Sequence, residues 1–154
     1  MVRQNALTLI TPVKAEEADT IHGVLQKIRQ ELIDNKHEVF EELGTIHYAR
    51  WVILEAGEFD GEYFPCRLVF VSDFDGPPDM HLYALCNVAA SFIDRIYSMC
   101  EGYPAPESCT PETRSSYLQR WVVPYSATFA GAPGRSLEQI RKESRLRNYI
   151  RAFL

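Results

Sequence analysis

The fold is decided by two segments, Thr45–Ala56 (TIHYARWVILEA) and Cys66–Gly76 (CRLVFVSDFDG). Both are rich in β-branched and aromatic residues, which favour extended strands. The nine residues between them, GEFDGEYFP, contain two glycines and a proline, as is typical of a hairpin connection. We therefore predict that the two segments pair as antiparallel strands. They also carry four polar side chains that a buried strand would avoid: His47, Arg50, Asp73 and Asp75.

A turn centred near residue 61 sets which side chains of this hairpin share a face. Opposite positions then sum to about 122, which places His47 across from Asp75 and Trp51 across from Val71. Asp73 joins them on the same face. The other face carries Arg50 and is more continuously apolar, so we predict that it packs against helices. A register shifted by one residue would exchange the two faces.

The rest of the chain alternates between strand and helix patterns. We predict a strand, a helix, the hairpin, a long helix, a short helix, a fourth strand and a last helix. Outside the hairpin, their bounds are Ala6–Val13, Glu16–Asn35, Asp79–Cys100, Pro111 to about Arg120, Trp121–Gly131 and a last helix opening at Ser136. Apolar residues at helical spacing define the helices, and Thr110 followed by Pro111 is typical of a helix start. Residues 37–44 fit either a helical extension or a loop.

This order contains the split β-α-β unit twice, which is the ferredoxin-like pattern of an antiparallel sheet with helices on one face. In its element order, over nearly the whole chain, the sequence resembles the dimeric α+β barrel superfamily. The resemblance implies an α+β, ferredoxin-like fold in which two sheets face each other in a homodimer, supported by a C-terminal extension. The polar face of the hairpin would then line the barrel. The superfamily includes cofactor-free monooxygenases, muconolactone-isomerase-like proteins and haem proteins.

Length and composition predict one globular domain covering residues 1–154. The net charge of −5 disfavours a nucleic-acid binder. Residues 135–154 nevertheless hold six Lys/Arg against two Asp/Glu, and we predict a basic C-terminal helix there. Such a helix either binds nucleic acid or an anionic membrane or, as we favour, packs on the acidic body of its own chain or of a partner.

The cysteines and the hydropathy of the chain predict the cellular compartment of the protein. Four cysteines without a CxxC pair predict a reduced, cytoplasmic protein. The apolar run near the N-terminus is broken by Thr and Pro and looks like a strand rather than a signal peptide. No stretch of the sequence approaches the ~18 apolar residues of a membrane span. We therefore expect neither a membrane nor a nucleic-acid partner.

The polar face of the hairpin is the candidate ligand site. A carboxylate beside His47 would fix the tautomer of its imidazole, as a general acid or base requires, so His47 and Asp75 are the candidate catalytic pair. The candidate ligand-binding residues are Trp51, Asp73, Arg50 and Tyr125. The competing interpretation is structural, with His47 and Asp75 facing water at the strand ends and Arg50 extending its charged head into solvent.

No motif predicts a metal or a cofactor. The histidines lack the spacing of metal ligands, although His47 with Asp73 and Asp75 is a weak three-ligand alternative and His81 or His47 a weak candidate for haem. The sequence contains no GxSxG, Walker or dinucleotide-binding pattern. Residues Gly134–Ser136 offer an anion site at a helix start, but Ser136 acting as an N-cap explains the same residues.

The predicted function is the binding of a small apolar or aromatic molecule in the barrel pocket. As an enzyme, the protein would transform that molecule in the manner of a cofactor-poor monooxygenase or isomerase. The alternative is a non-catalytic accessory or interaction protein. Its barrel would be filled by its own side chains, and its basic helix would dock on a partner. A haem-binding protein is a third and weaker alternative.

Overall fold

The structure is a computed structural model that describes residues 4–34, 38–125, 127 and 130–153. It is a mixed α+β arrangement of a small antiparallel sheet and several helices. The strands are β1 (Gln4–Pro12), β2 (Ile46–Leu54), β3 (Gly57–Phe59), β4 (Glu62–Phe64) and β5 (Arg67–Asp75). The helices are α1 (Ala18–Ile33), α2 (Glu38–Leu43), α3 (Pro78–Val88), α4 (Ala90–Tyr97), α5 (Pro111–Gln119) and α6 (Leu137–Phe153).

The main sheet has three strands in the order β1-β5-β2, and both pairings are antiparallel. The connection between β2 and β5 is itself a small hairpin of β3 and β4. Asp60 and Gly61 form its turn with positive φ angles of 52° and 78°, which is the backbone that an Asp-Gly pair favours in a two-residue hairpin turn. The predicted hairpin is therefore present, with an additional ribbon at its tip.

One face of the sheet is buried against the helices. Alternate side chains of β1 and β5 point into this core, as expected for a period of two: Leu7, Leu9, Leu68, Phe70 and Phe74. The helices contribute Leu82, Leu85, Ile93 and Ile96 to the same core. Burying each such side chain stabilises the fold by roughly 1.5–3 kcal/mol. On β2, by contrast, the opposite face leaves Tyr48, Val52 and Leu54 exposed.

The register of the predicted hairpin is shifted by one residue. Trp51 pairs with Phe70, and Arg50 pairs with Val71. Trp51 therefore faces the helices, where it packs between the rings of Phe40 and Phe70, and Arg50 lies on the open face. The predicted face assignment of these two residues was wrong. Both faces of β2 carry large apolar side chains, so alternation alone did not distinguish them.

Two further predictions differ from the structure. Of the predicted strand Trp121–Gly131, the described part forms only a bridge between Val122 and Leu9, after which Pro124 has no N–H to continue a ladder. Residues 126, 128 and 129 of that prediction lie outside the described residues. The predicted helix Asp79–Cys100 begins at Pro78 and divides at Ala89, whose φ and ψ of −96° and 26° leave the helical range.

The helix starts follow the sequence more closely. Thr110 and Thr113 form the reciprocal capping box that opens α5. Ser136 accepts a hydrogen bond from the Gln139 amide at the start of α6. The undecided segment 37–44 contains α2, although residues 35–37, including the predicted stop at Asn35, lie outside the described residues. Among the described helices, none is both long enough and apolar enough to cross a membrane.

Candidate functional site

His47 lies in an irregularity of β2 at the end of the sheet. Ile46 pairs with Phe74 and Tyr48 with Asp73, so His47 is an extra residue between two paired positions. Such a bulge re-aims the side chain that it carries. The His47 Nε2 atom lies 2.9 Å from Oδ1 of Asp75, the last residue of β5. The two candidate catalytic residues are therefore in direct contact.

Asp75 also holds the start of the last helix. Its Oδ2 accepts a 2.7 Å hydrogen bond from the backbone N–H of Leu137, the first residue of α6. A carboxylate is favourable there because the first amides of a helix lack partners and carry partial positive charge. The Asp75 side chain is only 9% exposed. One carboxylate thus joins the imidazole of β2 to the N-terminus of α6.

This geometry fixes the imidazole. Both oxygens of the Asp75 carboxylate act as acceptors, so His47 Nε2 carries the hydrogen that is donated to Oδ1. In the neutral ring, Nδ1 is then the basic nitrogen. An imidazole oriented by a buried carboxylate in this way is suited to take a proton from a neighbouring group and return it.

Two cavities meet at His47. The first, of about 300 Å³, is lined by Leu32, Phe40, Trp51, Arg141 and His47 among others, and we call it the His47 cleft. The second, of about 260 Å³, lies towards the open face and is lined by Asp73, Asn5, Ile140 and His47 among others. The His47 cleft has an aromatic wall with an imidazole and a guanidinium, which is the usual composition of a ligand pocket.

A groove of about 420 Å³ continues from the His47 cleft along the exposed edge of β2. Leu25 and Ile28 of α1 form one wall, and Arg50 and Trp51 form the other. Because Trp51 lines both the groove and the cleft, the two spaces are contiguous.

The remaining predicted ligand-binding residues are only partly brought together. Arg50 is exposed, with its guanidinium 6.0 Å from the ring centre of Tyr48. Asp73 is exposed on the open face and shares the second cavity with His47. Tyr125 is 45% exposed beyond the Val122 bridge and lines none of these three cavities. The structure does not bring Tyr125 to the site.

Sequence reasoning missed Phe40 and Arg141. Phe40 belongs to α2, the segment left open between helix and loop, and its ring lies 6.2 Å from that of Trp51. Arg141 was counted only as part of a basic helix. The spacing from the predicted cap did contain a signal for the position of Arg141. A helix capped at Ser136 has residue 141 within its first two turns, near the helix start.

The weaker alternatives are answered by the geometry. His81 is 4% exposed in the core, where its Nε2 lies 3.1 Å from Ser72 Oγ and its ring stacks on Phe74, so it does not face a ligand space. Within the described residues, no group of three His, Cys, Asp or Glu side chains is arranged to hold a metal ion. At the predicted anion site, Arg135 pairs with Glu143, and the Leu137 amide is taken by Asp75.

The cysteines are free. Burial raises the pKa of both Cys86 and Cys100 to about 12, which keeps these thiols protonated and unreactive at neutral pH. Neither is a candidate nucleophile.

Comparison with known proteins places the chain in no family. No family model, no curated protein and no solved structure matches it. The functional argument therefore depends on the site itself.

Proposed function

We propose that the protein binds a small aromatic or apolar molecule in the His47 cleft and that His47, oriented by Asp75, exchanges a proton with it. The observation that carries this proposal is the chain of contacts from His47 through Asp75 to the Leu137 amide, beside an aromatic wall. An Asp–His pair needed only for stability would not require a cleft against the imidazole. The cleft lies at the edge of the sheet, so the proposed ligand is not enclosed by a barrel.

The same cleft favours a ligand with an anionic or enolate oxygen. Arg141 lines the cleft, as does the carboxylate of Glu41, and Arg141 forms no ion pair with a described residue. A guanidinium in that position stabilises the negative charge that forms when a C–H next to a carbonyl is deprotonated. His47 Nδ1 would take that proton and return it to another carbon of the ligand, which is an isomerisation. In a cofactor-poor oxygenation, dioxygen would instead react with the carbanion.

Benzoylacetone, an aromatic 1,3-diketone, is a suitable probe of this chemistry. We expect the protein to accelerate exchange of its central C–H in deuterated water, followed by proton NMR, and the variant His47→Gln to lose at least about 100-fold of that acceleration. His22→Gln is the matched control, since His22 pairs with Glu55 and lines the adjoining groove but not the His47 cleft. Equal exchange rates in the wild type and His47→Gln would refute the proton-transfer role.

Binding is tested separately by fluorescence. Trp121→Phe leaves Trp51 as the single tryptophan, and we expect millimolar naphthoate to quench it. The variant Arg141→Gln should weaken naphthoate binding by about tenfold, the value of one charge-assisted contact. Unchanged fluorescence of Trp51 at all naphthoate concentrations would contradict binding in the cleft.

We also propose the finer fold interpretation, a ferredoxin-like unit that forms a homodimer through its open sheet face. The bridge between Val122 and Leu9 supports it, because it sets a fourth segment beside β1 on the side away from β5. The exposed Tyr48, Val52 and Leu54 on the open face of β2 support the dimer. The free cysteines are compatible with the proposed cytoplasmic location.

The accessory-protein alternative keeps one specific observation in its favour. The outer part of α6 exposes large apolar side chains that no other element covers, as a docking helix would. This feature is independent of the His47 cleft.

A further inference from the structure

The outer half of α6 carries an unpartnered apolar stripe. Its members repeat at i, i+3, i+4 and i+7 and are 52–92% exposed: Leu146, Tyr149, Ile150 and Phe153. Every residue from 145 to 153 is exposed. An amphipathic helix is stabilised mainly by the surface on which its apolar face packs. This half of α6 is therefore shaped for a surface that the described part of its own chain does not provide.

The charged residues in the outer half of α6 are all basic. Residues 144–153 contain Arg145, Arg147 and Arg151 and no acidic residue. None of these arginines forms an ion pair with a described residue; the ion pairs of α6 lie nearer its start, Arg135 with Glu143 and Lys142 with Glu138. A fitting partner surface must be apolar and acidic.

The β3–β4 hairpin has that composition. Its eight residues, GEFDGEYF, contain three carboxylates, no basic residue and three aromatic side chains that are 45–75% exposed: Phe59, Tyr63 and Phe64. Phe59 pairs with Glu62 across the two strands, and Tyr63 pairs with Glu58. Each face of the ribbon thus presents an aromatic ring beside a carboxylate. The tight Asp60–Gly61 turn holds the ribbon in a defined shape.

We propose that the outer half of α6 docks on the β3–β4 hairpin of a second copy of this chain, and that the two copies do so reciprocally. The inference deepens the proposed homodimer and does not depend on the His47 cleft. The three arginines of the helix are complementary in charge to the three carboxylates of the hairpin, and the apolar stripe is complementary to the two rings that share one ribbon face, Phe59 and Phe64. Within one chain both surfaces remain exposed. The start of α6 is attached at Asp75, whereas the hairpin follows the last residue of β2.

The arrangement closes with two copies. Each copy donates one helix and accepts one helix, which is an isologous contact related by a two-fold axis and leaves no surface for further growth. Six large apolar side chains can take part in each docking contact, four from the helix and the two rings that share one ribbon face, and the dimer has two such contacts. A standard stable interface buries about 1,600 Å² in total, so each of the two equivalent contacts must bury about 800 Å².

Charge reversal provides the decisive test. The helix variant R145E/R147E/R151E and the hairpin variant E58K/E62K are both changed only at exposed positions, so circular dichroism should confirm that both fold. By sedimentation equilibrium the wild type is expected to dimerise, and each variant alone to associate at least about tenfold more weakly. An equimolar mixture of the two variants should recover dimers, because each helix then meets a hairpin of opposite charge.

Apolar variants separate this docking from the sheet-face dimer. Leu146→Ser with Ile150→Ser should weaken dimerisation by roughly 100-fold, since each change acts in both contacts, while the control Asn148→Ser on the same helix should not. A monomeric wild type at all concentrations overturns both the dimer and the docking. Loss of the dimer in Tyr48→Ser with Val52→Ser, together with unchanged dimers in all helix variants, overturns the docking alone.

Discussion

Two histidines lie against β5 and are held in opposite ways. His47, at the edge of the sheet, donates to the carboxylate of Asp75 and borders two cavities. His81, in the core, contacts only the hydroxyl of Ser72 among polar groups, stacks on Phe74 with ring centres 3.7 Å apart and is 4% exposed. The same side chain is thus a solvent-accessible group at one position and a packing group at the other.

The comparison teaches what a histidine needs in order to do chemistry. Burial without a carboxylate lowers the pKa of His81 to about 4, so its ring is neutral at physiological pH and has no ligand space to act on. His47 has a carboxylate that accepts its Nε2–H and orients the ring, and a cleft in which to meet a substrate. A carboxylate partner and access to a cavity together distinguish His47 in the candidate site from His81 in the core.

The largest expected effect concerns acid stability through His81. Its pKa is lowered on folding from the ordinary 6.5 to about 4, so the unfolded chain binds the proton more tightly. The stability associated with a neutral His81 is complete above pH 6.5 and is lost as the pH falls from 6.5 to about 4. At roughly 1.4 kcal/mol per pH unit, the loss amounts to about 3 kcal/mol.

Urea unfolding of the wild type and of His81→Gln across this pH range measures the effect. The glutamine keeps a hydrogen-bonding group near Ser72 but does not titrate, so its unfolding free energy should be flatter between pH 6.5 and 4. Acidic groups such as Asp94, whose pKa is lowered by its hydrogen bonds to Arg114 and Tyr103 despite its burial, lose their contribution only at lower pH. Parallel curves for the two proteins would show that His81 is not the buried neutral group described here.

The sequence predicted the contact between His47 and Asp75 better than it predicted the register of the sheet around it. The contact between His47 and Asp75 was expected from a register that is wrong by one residue along most of β2. The bulge at His47 adds one residue to β2, and this extra residue brings His47 back to the predicted contact with Asp75 at the end of the strand. Bulges depend on tertiary packing and leave no clear mark in a single sequence, so this agreement between pattern and structure is local.

The errors elsewhere have the same physical origin. The prediction exchanged Trp51 and Arg50 between faces because β2 is apolar on both. In the structure, Trp51 packs on the rings of Phe40 and Phe70, which come from other segments of the chain. The segment Trp121–Gly131 has strand-forming residues, but Pro124 ends its pairing after one bridge. Local propensity predicted the number and kind of most elements, and long-range contacts decided their faces.

The second prediction concerns the carboxylate of Asp75, which contacts His47. Asp75→Ala leaves the first amide of α6 without its acceptor and His47 without its partner. We expect the unfolding free energy to fall by about 1–2 kcal/mol, as for the loss of a helix N-cap. Hydrogen exchange at the Leu137 amide should accelerate. The amides of α3, beside His81, should exchange faster only by the amount that the lower global free energy of unfolding produces. Unaltered protection of Leu137 would mean that Asp75 does not hold α6.

The smallest expected effect is on stability when His47 itself is changed. His47→Gln keeps a side-chain N–H that can donate to Asp75 and leaves no core cavity, because His47 is partly exposed. Its unfolding free energy should therefore lie within about 1 kcal/mol of the wild type, whereas His81→Ala should cost about 2–3 kcal/mol through a buried cavity and the lost contact to Ser72. Equal costs for the two substitutions in urea would show that both histidines are structural. A near-neutral His47→Gln that still abolishes deuterium exchange of benzoylacetone would separate the chemistry of the sheet edge from the packing of the core.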